Sequence, residues 1–232
     1  MSRLEGARWT DVDAAPGAAL VVPIGSLEQH GPHLPLATDT LVASAVCERL
    51  HERRPDAALA PAVPLGASGE HAHFPGTLSV GTDALRLLAV ELVRDATRSW
   101  PAVLLVNGHG GNAEALRQAV VLCREEGRRA AVVHLGLPGM DAHAGRSETS
   151  LLLHIAPDLV DLARAEAGPV GALRELMPRL IADGVRAVSP NGVLGDPTGA
   201  SAAEGAQLLD ALVDLAVAAY DEVAAPGRGS GP

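Results

Sequence analysis

Short apolar runs alternate with longer amphipathic stretches along most of the chain. Residues Ala19 to Ile24, Ala57 to Val63, Ala102 to Val106 and Ala130 to Leu135 are apolar almost throughout and rich in β-branched side chains. Strands covered on both faces of a parallel sheet have this composition, whereas strands with one wet face alternate. The stretches between them carry helical spacing. Thr40 to Arg53 places Leu41, Ala45 and Leu50 on one side, and Asp83 to Ser99 does the same with Leu87, Leu88 and Leu92. Asn112 to Glu126 opens on a residue type that caps helix N-termini and closes at Gly127. Ser201 to Val223 begins with the capping-box spacing Ser201-x-x-Glu204 and then aligns Leu208, Leu209, Leu212, Leu215 and Val217. The pattern predicts an α/β fold, a mostly parallel central sheet with flanking helices, in one domain over 1–225. Residues 226–232, Pro-Gly-Arg-Gly-Ser-Gly-Pro, cannot bury anything and are expected to be a disordered tail.

Charge narrows the function classes. Acids outnumber bases by 28 to 18, for a formal charge of -10, and no basic strip interleaved with aromatics occurs, so nucleic acid is not an expected partner. No apolar run is long enough to span a bilayer, and the N-terminus lacks the apolar segment of a leader, which predicts a soluble cytoplasmic protein without a membrane partner. Cys47 and Cys123 stand alone in helical segments, where burial as small apolar groups is the expectation. Every basic residue is arginine, so lysine Schiff-base or lysine general-base chemistry is excluded.

In open parallel α/β sheets, ligands bind beyond the carboxyl ends of the strands, and the polar chemistry of this chain sits in those loops. After the first strand come Glu28, His30 and, beyond a turn at Gly31-Pro32, Asp39. In an extended segment residues two apart face the same way, so Glu28 and His30 share a pocket to which the turn returns Asp39. Mixed carboxylate and imidazole donors with no cysteine nearby suit an open Zn, Mn or Fe(II) site better than a structural zinc knuckle. The third strand runs into Asn107-Gly-His109-Gly-Gly-Asn112, adding His109, with Gly110 and Gly111 exposing amides for a substrate oxygen. The loop after the fourth strand adds Glu148, which completes five donors, about what two ions sharing a bridging carboxylate require. The second strand's loop, with Glu70 and His71, is read as substrate wall, His71 and His73 as ligands being the lesser reading.

Gly-Ser-Leu-Glu-Gln-His-Gly-Pro-His-Leu-Pro-Leu-Ala-Thr-Asp at 25–39, Asn-Gly-His-Gly-Gly-Asn at 107–112 and His-Ala-Gly-Arg-Ser-Glu-Thr-Ser at 143–150 resemble the signature blocks of the creatininase (creatinine amidohydrolase) family. Residues 66–71, 74–79 and 192–198 are most similar to the branch of that family that acts in the mycofactocin system. The resemblance implies two divalent metal ions per subunit (Zn, Fe or Mn), a homo-oligomer, and hydrolysis of an amide bond in a modified precursor peptide by metal-activated water. The piece released would be the cross-linked C-terminal Val-Tyr unit. It further implies Glu28, His30, Asp39 and His109 as metal ligands, Asp39 as the bridge, and His143 as the catalytic histidine that protonates the leaving amine. One position departs: the family's creatininase has a glutamate where this chain has Gly111, and Glu148 is taken as its replacement. A creatininase-like hydrolase of a small cyclic amide or formamide, and a non-catalytic metal-stabilised biosynthetic partner, remain open as alternatives.

Overall fold

The four apolar runs pair into one parallel sheet of order β2-β1-β3-β4 in the computed structural model, which describes residues 3–15, 17–170 and 173–226. Its strands are β1 (Ala19–Ile24), β2 (Ala57–Leu59), β3 (Val103–Asn107) and β4 (Ala130–His134). The helices are α1 (Trp9–Ala14), α2 (Thr38–Arg53), α3 (Thr82–Ala96), α4 (Ala113–Glu125), α5 (Arg146–Ile155), α6 (Leu173–Asp183), α7 (Val185–Val188) and α8 (Ala202–Ala224).

Side chains of a strand alternate between faces, and here each face has its own core. Val21, Leu104, Val106 and Val133 meet α2, α5 and α8. Leu20, Val22, Ile24, Val103 and Leu105 meet α3 and α4. Cys47 and Cys123 are fully buried, one in each core. Ile24 pairs with Asn107, and Asn107 with His134, so the carboxyl ends of β1, β3 and β4 lie side by side and their loops share one edge.

Several boundaries differ from the sequence reading for identifiable reasons. The second strand stops at Leu59 instead of Val63: after Ala60 N donates to Val21 O (2.9 Å) the next rung would need an N–H from Pro23 of β1, and only an isolated Ile24–Val63 bridge follows. Pro23 is tolerated inside β1 because its missing N–H faces the short edge strand β2, beyond the last pair, Val21 with Leu59, and leaves the pairing with β3 intact. On α3 the buried stripe is Leu85, Ala89, Val90, Val93 and Ala96, while Leu87 and Leu88 are exposed. Small residues let this helix lie close to its neighbours, a preference that weighting by side-chain size overlooks. On α2, likewise, the buried positions are Val42, Ala43, Val46, Cys47 and Leu50, and Leu41 and Ala45 only flank them. Asn112 does not cap α4: its side chain bridges loops, accepting from Ala67 N (2.8 Å) and donating to Gly25 O (2.9 Å) and Asn107 Oδ1 (3.1 Å). The capping box of α8 forms by half. Ser201 Oγ accepts from Glu204 N (3.2 Å), but the Glu204 carboxylate turns to Arg146 and Ser150. The expected tail beyond Pro226 lies outside the described residues.

Candidate metal centre

Beyond β1 the chain doubles back. Glu28 N donates to Leu36 O (3.0 Å), His30 and Leu34 form an antiparallel bridge, and Gly31 turns the corner at φ +65°. The reversal delivers Asp39 into the first turn of α2 and gathers Glu28, His30 and Asp39, all buried, as their spacing predicts. The short turn after β3 adds His109. Its Nε2 is 3.1 Å from Glu28 Oε2 and its Nδ1 is 3.3 Å from Asp39 Oδ2. Asp39 turns its other oxygen, Oδ1, to His30 Nε2 at 3.1 Å, and Ser26 Oγ steadies Oδ2 at 2.6 Å. One carboxylate thus addresses two histidines from opposite sides, the arrangement a bridging ligand needs.

The loop after β4 supplies His143 and Glu148. Asp141, passed over in the sequence, accepts from the main-chain N–H groups of Arg146 and Ser147 and so caps α5. Glu148 is thereby released from complementing the helix end and points inward, with Oε2 2.5 Å from Ala144 N and 4.0 Å from His30 Nε2. Ala144 is the one non-glycine residue at positive φ (52°) among the described residues, and this kink separates the directions of His143 and Glu148. His143 is pinned by main-chain bonds in both directions with Leu194.

Both oxygens of Glu28 are buried, and apart from the ring nitrogens of His109 (3.1 Å) and His71 (3.3 Å) no donor among the described residues reaches them. A carboxylate taken out of water without donors is costly, and a cation at its oxygens removes that cost. Donor atoms lie within 4.8 Å of one another in three sets: Glu28, Asp39 and His109; His30, His143 and Glu148; and Glu28, His71 and His143. The first set, and His30 with Glu148 from the second, meet at Asp39, so mixed oxygen and nitrogen donors suited to divalent cations converge there. Electrostatics agree with a site shaped for positive charge. Burial raises the Glu28 carboxyl, yet His109 beside it more than offsets this and holds it at about 2. Burial likewise opposes charge on His30, but Asp39 lifts it to about 10, and Glu28 and Asp39 keep His109 well above the usual imidazole range. Protons on these rings stand where ions would otherwise balance the carboxylates. His143 goes the other way: burial, then the charges of His30 and His71, push it down to about 3, so it stays neutral. Burial raises Glu148 to about 7.

The remaining expected residues border a cleft of about 1250 Å³ above these groups. Gly110 and Gly111 edge it, and so does Glu70, whose Oε1 lies 3.3 Å from His109 Nε2. A Cβ on Gly111 would collide with Glu70 Oε1, His109 Nε2 and Ala67 O, so the carboxylate of Glu70 fills the room that a side chain at 111 would take. His71 lies deeper than a substrate wall: it is buried, with Nε2 3.3 Å from Glu28 Oε1, whereas His73 is exposed. His33 belongs to the packing and contacts Thr149 Oγ1 at 2.9 Å. Sequence reasoning passed over Gln29, which sits between His71 and His143. The available signal was its place between two chemical residues in a segment otherwise devoted to the site.

Comparison with known proteins places this geometry. The family model described as Creatininase: Creatinine amidohydrolase matches residues 5–220. The chain is 52% identical over 200 residues to the mycofactocin precursor peptide peptidase of Mycolicibacterium smegmatis, covering 84% of this chain and 81% of that protein. It is 31% identical over 194 residues to the creatinine amidohydrolase of Pseudomonas putida, covering 69% and 74%. A crystal structure of creatinine amidohydrolase (creatininase) superposes with a TM-score of 0.84 at 28% identity, covering 96% of this chain and 98% of that one. A structure named Creatininase Mn gives 0.81 at 27% identity, again over 96% and 98%. The strand-end cluster of acids and histidines, the fold around it and these matches along most of the length agree: the chain belongs to the creatininase family.

Proposed function

We propose that this protein is a metal-dependent amide hydrolase that cleaves a modified mycofactocin precursor peptide and releases its cross-linked C-terminal Val-Tyr unit. The observation that carries the reading is Glu28, a buried carboxylate whose oxygens meet only histidine nitrogens beneath a large cleft lined by Asp39, His109 and Glu148, in a chain half identical to a named precursor peptide peptidase. Glu28, Asp39 and His109 would hold one divalent ion, and His30, Glu148 and the second oxygen of Asp39 the other. Such ions supply a water that ionises near neutral pH and polarise the amide carbonyl. The chain's own residues do the rest. Asp39 keeps the two binding sets at a fixed separation, clamped by Ser26. The cleft takes the peptide, with Gly110, Gly111 and Glu70 along its edge. His143, buried and neutral, stands with Nδ1 3.8 Å from Glu28 Oε1, within reach of a proton released there, and passes it to the departing nitrogen.

Cleft size favours the peptide over a small cyclic amide: about 1250 Å³ exceeds what drug-sized ligands usually occupy. Leu194, Gly195 and Asp196, from the block that resembles the mycofactocin branch, line it. The proposal includes a single working domain over 1–225, cytoplasmic residence, supported by two free buried cysteines, and a homo-oligomer, supported by the exposed Leu78, Leu87 and Leu88. Among the described residues no helix is long and apolar enough to cross a membrane. The decisive experiment is mass spectrometry of the metal-loaded protein with a precursor peptide already bearing its Val-Tyr cross-link, run beside a chelated control and creatinine. Metal-dependent release of the cross-linked fragment is expected. Turnover of creatinine alone would transfer the assignment to the small-amide reading, and no cleavage with a full metal complement would overturn both.

A further inference from the structure

Buried Gln29 lies between His71 and His143, and its orientation is fixed. Gly31 N donates to the side-chain oxygen at 2.9 Å, so the NH2 end faces the rings. Within hydrogen-bond distance of that nitrogen lie His71 Nδ1 (2.9 Å), His143 Nε2 (2.9 Å) and Gly192 O (3.0 Å). An amide nitrogen has two hydrogens, so three acceptors are one too many. The main-chain carbonyl of Gln29 resolves the count, because it lies 2.8 Å from His143 Nε2. A bare Nε2 would set two lone pairs face to face in a buried site and cost that carbonyl a donor. A protonated Nε2 gives the Gln29 carbonyl its donor and leaves two acceptors for the two amide hydrogens. His143 donates to Gln29 O, and the two amide hydrogens go to His71 Nδ1 and Gly192 O. The cradle is built to fit: Gly192, at φ +83°, has no room for a Cβ beside the Gln29 amide.

We propose that Gln29 sets the tautomers of both histidines, its amide holding His71 and its carbonyl holding His143 in the Nε2–H form. Two consequences follow from the geometry. The single bare nitrogen of His143 is then Nδ1, the atom on the side of Glu28. His71 turns an N–H, not a lone pair, towards Glu28 Oε1, so it positions that carboxylate and does not bind metal. The set Glu28, His71 and His143 is therefore not a third ion site, although its donor atoms lie within 4.8 Å. What the tautomers do for turnover rests on the hydrolase reading; the tautomers themselves do not.

Long-range proton–nitrogen correlation spectra of the metal-free protein with labelled histidines, at about pH 8, well above the ordinary imidazole value, read each ring directly. Signals are assigned by their loss in His71→Gln and His143→Gln. Both rings are expected to carry the proton on Nε2; finding it on Nδ1 in either ring overturns the proposal, with no variant of Gln29 needed. In Gln29→Glu, a carboxylate that only accepts should move the His71 proton to Nδ1 and leave His143 unchanged. An unchanged His71 in that variant also overturns it. In protein that hydrolyses the peptide, the same variant should lose roughly 10- to 100-fold in kcat with KM little altered, the size usual for groups that orient metal ligands.

Discussion

Glu28 Oε1 and the neutral His143 Nδ1 lie 3.8 Å apart, yet the proposed roles separate the two residues experimentally. With Glu28 as a proposed ligand, Glu28→Ala should lower metal content in elemental analysis by at least about tenfold, and activity with it. His143→Ala should keep the metal and lose turnover by roughly 100- to 10,000-fold, the span of a proton-transfer group. A variant with full metal and an unchanged rate would remove His143 from the mechanism. Gly111→Ala tests a different point, because the added methyl collides with Glu70 Oε1, His109 Nε2 and the Ala67 carbonyl together. We expect weaker metal retention, measured by titration calorimetry, and a partial recovery when Glu70→Ala is added to clear the space. At this scale the sequence was informative where residues close in number are close in space. Glu28, His30 and Asp39 are joined by one local turn. The depth of His71 and the partnership of Glu70 with Gly111 arise from contacts 40 or so positions apart, and no spacing rule reaches them.

Elements were legible to the degree that composition alone decided them. The first strand, Ala19–Ile24, is apolar at every position because helices cover it on both sides, and its predicted ends coincide with those observed. Where partner geometry decided, the reading slipped: Leu87 and Leu88 look like a core face, but the neighbours of α3 accept Ala89 and Ala96 instead. Asn112 and Glu204 fit capping rules and are recruited by tertiary contacts that outbid the local ones. The long helix α8 was read from its leucines and packs as read, with Leu209 and Leu212 buried against the sheet and α5. Leu212 is fully buried, so Leu212→Ala should cost about 2–5 kcal/mol, through lost transfer energy and a residual cavity. Exposed Leu87→Ala in the isolated subunit should cost little. Chemical denaturation of both variants checks the pair, and equal costs would mean that Leu87 is covered in solution, as a homo-oligomer through α3 requires.

Across the whole molecule, the centre ties stability to pH and metal together. In the metal-free protein His30 is raised from 6.5 to about 10. Its contribution is therefore complete below pH 6.5 and is lost as pH climbs towards 10. His143 is lowered from 6.5 to about 3, so its contribution is complete above pH 6.5 and is lost as pH falls towards 3. Glu28, lowered from 4.5 to about 2, adds stability above pH 4.5 that disappears only under stronger acid. These three groups balance near pH 6.5, while Glu148, raised from 4.5 to about 7, adds stability below pH 4.5 that is gone by about pH 7, so above pH 7 the loss at His30 governs. Ions change the upper side of that curve, because they take over the charge that the proton on His30 supplies and bind more tightly as that proton becomes easier to displace. The melting temperature of chelated protein should therefore fall between about pH 7 and pH 9 while that of the loaded protein holds, so the metal-induced rise widens with pH. Thermal melts of both forms across this range measure it. A chelated protein that grows more stable towards pH 9 would show that His30 is not held as an imidazolium by Asp39, and that the buried carboxylates are balanced in some other way.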